Sequence, residues 1–70
     1  MNSKVRRQFG KKVRALRKQK GMTQEALAHE ANIERSYMGA IERGQRSPTL
    51  DKISAIAKAL KIPMSEIFDR

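Results

Sequence analysis

Residues 23–44 read TQEALAHEANIERSYMGAIERG, and this stretch predicts two short helices joined by a tight turn. Thr23 suits the start of the first helix, because its hydroxyl can accept a hydrogen bond from an amide of the first turn. The first helix is expected to end at Ala31-Asn32, since Asn tolerates the left-handed conformation that a sharp turn requires. A second helix follows over residues 34–43, and Gly44 ends it.

The second helix has small and hydrogen-bonding side chains on the face that its core residues leave free. The core side takes Ile33, Ile41 and either Met38 or Tyr37. The free face carries Arg35, Ser36, Gly39, Ala40 and Arg43. Arg can bond guanine bidentately, Ser can bond a base or a phosphate, and Gly and Ala permit close approach and contact with thymine methyl groups. A merely solvated face is the alternative, but such faces usually carry long charged side chains. The stretch therefore predicts a helix-turn-helix whose second helix enters the major groove of DNA.

Length and composition limit what the remainder of the chain can be. Seventy residues suggest a single domain over residues 1–70, close to the lower size limit for independent folding. There is no cysteine, and His29 is the only histidine, so neither a disulfide nor a metal site is expected. No apolar run approaches the roughly 18 residues of a membrane-spanning helix, and no signal sequence is apparent. We expect a cytoplasmic protein without a cofactor.

Positive charge is concentrated at the N-terminus. The chain has 16 Lys and Arg against 7 Asp and Glu, for a net charge of +9. Nine of the basic residues and none of the acidic ones lie in the first 20 positions, whereas residues 21–70 sum to zero. Such segregation points to a polyanion, either nucleic acid or an anionic membrane surface, with a solvated face as the simpler alternative. The absence of Trp and the narrow apolar stripe of this segment argue against a membrane.

Three further helices are expected around the central stretch. Residues 5–20 place Val5, Phe9, Val13 and Leu16 on one face, with residues 1–4 as a candidate flexible arm. Gly10 inside this helix should weaken it by about 1 kcal/mol relative to Ala, and Gly21 should end it.

The C-terminal third predicts the last two helices. Thr49 or Ser47 is expected to cap a helix whose apolar face comprises Leu50, Ile53, Ile56, Ala57 and Leu60. Lys61-Ile62-Pro63 ends it, and Ser65 is expected to cap a short last turn that contains Ile67 and Phe68. Because no segment alternates apolar and polar residues, the sequence predicts an all-α protein of five helices.

Several motifs in order resemble one known family. They are GMTQEALA at 21–28, RSY at 35–37, IERG at 41–44, PTL at 48–50, AKAL at 57–60 and SEIF at 65–68. Together they resemble the Cro and phage-repressor helix-turn-helix family, also called the XRE family, over residues 6–68. Within it the chain is most similar to small stand-alone regulators such as restriction-modification controller proteins. The resemblance implies a compact five-helix, lambda-repressor-like domain with the motif at residues 23–43. It also implies a homodimer that represses or otherwise regulates transcription from a partly palindromic operator in double-stranded DNA.

The resemblance also implies roles for individual residues. Base contacts fall on Arg35, Ser36 and Ala40. Phosphate contacts fall on Thr23, Gln24, Tyr37, Arg43 and Arg46, with a base as the alternative for the Tyr37 hydroxyl. Arg17 and Glu42 match a structural ion pair, which as an exposed pair would contribute only about 0–1 kcal/mol. Ile62, Met64, Ile67 and Phe68 match the dimer interface, with ordinary monomer core as the alternative for these four residues.

Three positions depart from the family pattern. Asn32 and Lys61 stand where Gly is frequent, so the turn at Lys61 is expected to be strained. Glu34 stands where Ser or Asp usually caps the second helix, and its carboxylate either accepts a bond from cytosine or repels phosphate.

Two other classes of function compete with a DNA-binding regulator. An enzyme is not expected, because the sequence lacks a nucleophile–base set, usefully spaced paired carboxylates and a glycine-rich phosphate loop. The alternative that remains is an antitoxin, which would bind a toxin partner and regulate its own operon. Such proteins usually carry an additional segment to cover the toxin, and the absence of one here favours a regulator.

Overall fold

The computed structural model describes residues 1–68, and within them the chain forms five α-helices and no strand. Helix α1 spans Ser3–Gln19, α2 spans Gln24–Glu30, α3 spans Arg35–Glu42, α4 spans Leu50–Leu60 and α5 spans Met64–Ile67. The all-α architecture predicted from the sequence is confirmed. None of the helices in this range has both the length and the apolar character that a membrane crossing demands.

Side-chain caps fix the beginnings of three helices. The hydroxyl of Thr23 accepts a hydrogen bond from the amide of Ala26 at 3.0 Å, and Thr49 caps α4 in the same way. Asn2 caps α1, so Ser3 and Lys4 belong to this helix and not to the flexible arm expected at residues 1–4. The cap expected at Ser65 is wrong, because α5 already begins at Met64 behind Pro63.

Two non-glycine residues in the left-handed region end α2 and α4. Asn32 has φ of 56° and Lys61 has φ of 59°. In each case the amide of the next residue bonds back to the helix, Ile33 to Ala28 at 2.8 Å and Ile62 to Ala57 at 3.0 Å. This is the Schellman arrangement, which satisfies a terminal carbonyl and turns an apolar residue onto the helix. Lys61 bears a steric cost of roughly 1–2 kcal/mol that Gly would avoid.

One hydrophobic cluster holds the helices together. Its buried members are Phe9, Val13, Leu16, Leu27, Ala28, Ala31, Ile33, Met38, Ile41, Ile53, Ile56, Ala57, Leu60 and Ile67. Two residues expected in the apolar faces lie outside it, since Leu50 is 74% exposed and Val5 is 37% exposed. Leu50 is the first residue of α4, ahead of the part of that helix that packs. Val5 instead lines an open groove between α1 and α5. Helix α5 has only one turn, which is too short to cover Val5.

Gly10 is the point of close approach between α1 and α3. A Cβ atom at this position would lie 2.6 Å from the carbonyl oxygen of Glu42 and would also collide with that of Ile41. The glycine that the sequence suggested as a weak point in α1 is therefore what lets the two helices pack. This contact sets the position of α3 on the protein.

Candidate nucleic-acid interface

A surface depression beside the two helices of residues 23–44 gathers several of the side chains expected to touch DNA. It has a volume of about 510 Å³ and is lined by Gln24, Arg35, Ser36, Gly39 and Arg43. Gln24 opens α2, whereas the other four lie on α3 or directly after it. The turn at Asn32 brings the two helices together, so residues far apart on a linear chain share one surface.

A buried polar network fixes α3 from behind. Arg17 of α1 forms a bidentate ion pair with Glu42, at 2.7 Å from Nε to Oε2 and 3.1 Å from Nη2 to Oε1. Arg17 also donates to the carbonyl of Met22, and the Nε2 amide of Gln24 donates to Glu42 Oε1 at 3.2 Å. The Arg17 and Glu42 side chains are only 10% and 3% exposed, so this is not the surface pair expected from the sequence. The network ties α1, α2 and α3 into one unit.

The sequence suggested that Gly39 lies open on the outer face of α3, but the structure shows otherwise. It is buried because the side chains of Gln24 and Arg43 fold over it. A Cβ atom there would lie 3.0 Å from Nη1 of Arg43 and 3.3 Å from Oε1 of Gln24. Gly39 therefore forms the floor of the depression and makes room for these two side chains.

The exposed side chains at the start of α3 are linked to acidic neighbours. Arg35 Nε lies 3.9 Å from Glu25 Oε2, with side chains 68% and 78% exposed. The hydroxyl of Ser36 donates to Glu34 Oε1 at 2.6 Å. The side chain of Glu34 does not cap α3, which agrees with its departure from the usual cap residues Ser and Asp. Arg35 and Ser36 are thus accessible, and each lies next to a carboxylate.

Tyr37 and Arg46 form a separate group beyond the depression. Tyr37 is half-buried, and both Arg46 and Lys52 place a cationic group 5.2 Å from the centre of its ring. Ala40 is half-buried and does not line the depression, and Thr23 is exposed at the α2 cap. Sequence reasoning missed Lys52, since no motif connects it to Tyr37.

Arg43 has a partner that its sequence context did not suggest. Its Nε donates to Gln45 Oε1 at 3.1 Å. This bond holds the guanidinium beside the depression, at the position where the chain leaves α3. In the sequence, only the separation of two residues between Arg43 and Gln45 pointed to this hydrogen bond, and such a separation is too common to predict one.

The four residues expected at a dimer interface differ in burial. Ile67 is 2% exposed and belongs to the core of the single chain, whereas Phe68 is 49% exposed. Ile62 and Met64 are half-buried against the core. The Phe68 ring packs on Phe9 with centroids 5.6 Å apart.

Known proteins are similar to this chain in sequence and in fold. A helix-turn-helix family model (HTH_3) matches residues 13–67. The control protein C.BamHI of Bacillus amyloliquefaciens is 43% identical over 70 residues, covering 99% of this chain and 86% of that protein. The immunity repressor protein of Bacillus phage phi105 is 43% identical over 58 residues, covering 83% of this chain and 40% of the repressor. The crystal structure of the restriction-modification controller protein C.AhdI from Aeromonas hydrophila superposes with a TM-score of 0.90 at 44% identity, covering 91% of this chain and 97% of that chain.

These similarities confirm the resemblance that the motifs suggested, including the likeness to restriction-modification controller proteins. The family model covers the helix-turn-helix, the C-terminal part of α1, and helices α4 and α5. The family is one of DNA-binding regulators and is not an enzyme family. The chain belongs to the XRE-type helix-turn-helix family of DNA-binding transcription regulators.

Proposed function

We propose that this protein is a homodimeric regulator that binds a partly palindromic operator in double-stranded DNA and reads it with α3. The observation that carries the proposal is the depression beside α2 and α3, in which Arg35 and Ser36 are exposed while Gln24 and Glu42 hold the helix in place. A rigid support behind accessible side chains is what base reading requires, because discrimination depends on placing donors accurately against base edges.

Two groups of residues divide the work on DNA in this proposal. Arg35, Ser36 and Ala40 contact bases in the major groove. Thr23, Gln24, Tyr37, Arg43 and Arg46 contact phosphates and set the register of the protein on the duplex. The Arg46 guanidinium is already held over the Tyr37 ring, which reduces the conformational freedom it would lose on binding.

The dimer would form through the C-terminal part of the chain. Phe68 is a large apolar side chain that the protomer leaves half exposed, and Ile62 and Met64 are only partly covered. Ile67 would support this surface from inside the core. A two-fold axis through this surface would place the two α3 helices about 34 Å apart, one turn of DNA.

Electrostatic attraction completes the proposal. The net charge of +9 favours a phosphate backbone, so affinity should fall steeply with salt. A cytoplasmic location remains part of this proposal. The antitoxin alternative is not favoured, because the similar proteins are control proteins and a phage repressor.

Selection of binding sites from random duplex DNA tests the proposal directly. We expect an enriched motif with two inverted half-sites whose centres lie about 10 base pairs apart. A single half-site would exclude the two-fold arrangement, and the absence of any enriched motif would exclude sequence-specific recognition. Size measurement of the complex with the selected duplex should give two protein chains per site.

A further inference from the structure

Five basic residues form a continuous stripe along the exposed side of α1. The stripe comprises Lys4, Arg7, Lys11, Arg14 and Lys18, all of which are exposed. Their alternating spacings of three and four residues place them on one face of a helix. At 1.5 Å per residue, the stripe extends over about 21 Å, the axial length of roughly six phosphates in one strand of DNA.

The other basic residues near the N-terminus are mostly occupied elsewhere. Arg17 is buried in its ion pair, and Arg6 donates to the carbonyls of Gly44 and Met1 at 3.3 Å and 3.0 Å. Lys12 is half-buried in the groove beside α5. Within residues 1–68 the ion pairs join Arg17 to Glu42 and Arg35 to Glu25, so no member of the stripe is in one. The stripe therefore carries most of the available charge of α1.

This charge pattern is unfavourable for α1 by itself. Like charges at spacings of three and four residues repel one another on a helix. The first turn of α1 has no acidic residue, and its basic residues lie near the positive end of the helix dipole; of the stripe, only Lys18 lies in the last turn, where the dipole favours it. A face that served solubility alone would usually mix both signs of charge. A bound polyanion would relieve the repulsion, which favours a ligand over a solvated face.

The stripe begins where the proposed recognition helix ends. Arg7 packs against Gly44, the residue at the end of the α3 segment, since a Cβ on Gly44 would lie 2.7 Å from Arg7 Cγ. Arg43 precedes this glycine, and Arg46 follows it. One end of the stripe thus lies beside Gly44, in the segment that carries Arg43 and Arg46, which are proposed to hold the operator backbone.

From these observations we infer that the stripe binds the phosphate backbone of DNA that flanks the operator, beyond the base pairs read by α3. The inference rests on the proposed function, because it requires α3 to be seated on the same duplex. The stripe adds affinity and salt dependence but no base preference, since phosphate contacts carry no sequence information directly.

The test compares two matched pairs of substitutions on two lengths of DNA. The double variant Lys11→Gln/Lys18→Gln, called the stripe pair, removes two charges from the stripe. The double variant Lys58→Gln/Lys61→Gln, called the α4 pair, removes two exposed charges at the C-terminal end of α4. Each protein is titrated onto the selected operator trimmed to its footprint and onto the same operator with 10 base pairs added on both sides. The titrations are repeated over a range of salt concentrations.

We expect the wild type and the α4 pair to bind the longer duplex about tenfold more tightly than the short one, and the stripe pair to lose this gain. The slope of log Kd against log salt on the longer duplex should flatten by about 2 to 4 for a dimer of the stripe pair. Base preference should be unchanged. Equal losses on both lengths, equal losses for the α4 pair, or no length dependence in the wild type would each overturn the inference.

Two controls distinguish DNA binding by the stripe from a membrane-binding role and from a structural role. If the wild type shows no base preference, the proposed function fails. The inference about the stripe is tested separately, by whether the stripe pair loses the gain in affinity on the longer duplex. The second outcome concerns vesicles of phosphatidylserine and phosphatidylcholine. If the wild type binds them, the stripe pair does not, and the stripe pair still binds the longer duplex more tightly, the stripe is a membrane-binding surface and the inference is overturned. Without DNA and at low salt, the stripe pair should melt at the same temperature as the wild type or at a higher one, because repulsion between the basic side chains is relieved. A much lower melting temperature would identify a structural role for the stripe and overturn the inference.

Discussion

Arg17 and Glu42 form a buried ion pair that joins α1 to the end of α3. The guanidinium donates two hydrogen bonds to the carboxylate, and Gln24 donates a third to the same group. With side chains only 10% and 3% exposed, neither charge could be well hydrated if its partner were absent. Removing one member is then much more costly than for a surface pair. The position of α3 therefore depends on a charge placed 25 residues earlier in the chain.

Glu42→Ala should lower the free energy of unfolding by about 3–5 kcal/mol, because it leaves the Arg17 guanidinium buried without its partner. Urea denaturation followed by circular dichroism measures the effect. The matched control is Glu25→Ala, which breaks the exposed contact with Arg35 and should cost less than about 1 kcal/mol. Similar losses for the two variants would show that the pair is hydrated in solution.

Gly10→Ala should destabilise the protein although Ala is the better helix former. Helix propensity favours Ala by about 1 kcal/mol, whereas overpacking against rigid backbone costs about 1–3 kcal/mol or more. Here the new methyl group meets the carbonyl oxygens of Ile41 and Glu42, so the unfavourable term should be the larger. Ala15→Gly, at an exposed position on the same helix, isolates the propensity term. A Gly10→Ala protein more stable than the wild type would mean that α1 and α3 separate easily in solution.

The parts of the fold that the sequence predicted are those determined locally. Thr23 and Thr49 cap helices through amides three residues away, and Asn32 turns the chain by its own backbone conformation. These interactions need no knowledge of the tertiary structure. The same holds for the apolar positions in the middle of α4, where the helical period alone identified the buried side.

The parts that the sequence did not predict depend on distant neighbours. Leu50 and Val5 continue an apolar period but extend past the helices that would cover them. Gly10 lies against Ile41, 31 positions away, and Gly39 lies against Gln24, 15 positions away, as well as against Arg43. The contacts across helices could not be read from the segments of the two glycines. The motif resemblance paired Arg17 with Glu42, but the burial of that pair required the packing of α1 across α3.

Arg35→Ala should cost about 1–3 kcal/mol of binding free energy on the preferred operator and reduce the base preference at one position. The reason is that Arg35 is exposed at the start of α3 and is the strongest candidate for a bidentate contact with guanine. Competition binding against operators changed at single base pairs measures it. Arg46→Ala is the control, because loss of a phosphate contact should weaken binding evenly on all sequences. If Arg35→Ala behaved as Arg46→Ala does, Arg35 would be a backbone contact.

Phe68→Ala should weaken self-association and leave the protomer folded. The side chain is 49% exposed, and its contact with the Phe9 ring contributes only about 0.5–1.5 kcal/mol beyond the area it buries. Ile67→Ala is the contrasting change, since this buried residue should cost about 2–5 kcal/mol of folding stability. Sedimentation equilibrium at micromolar concentration should give the wild type near twice 8.0 kDa and Phe68→Ala near the mass of one chain. A Phe68→Ala dimer as tight as the wild type would show that the exposed Phe68 ring is not part of the interface.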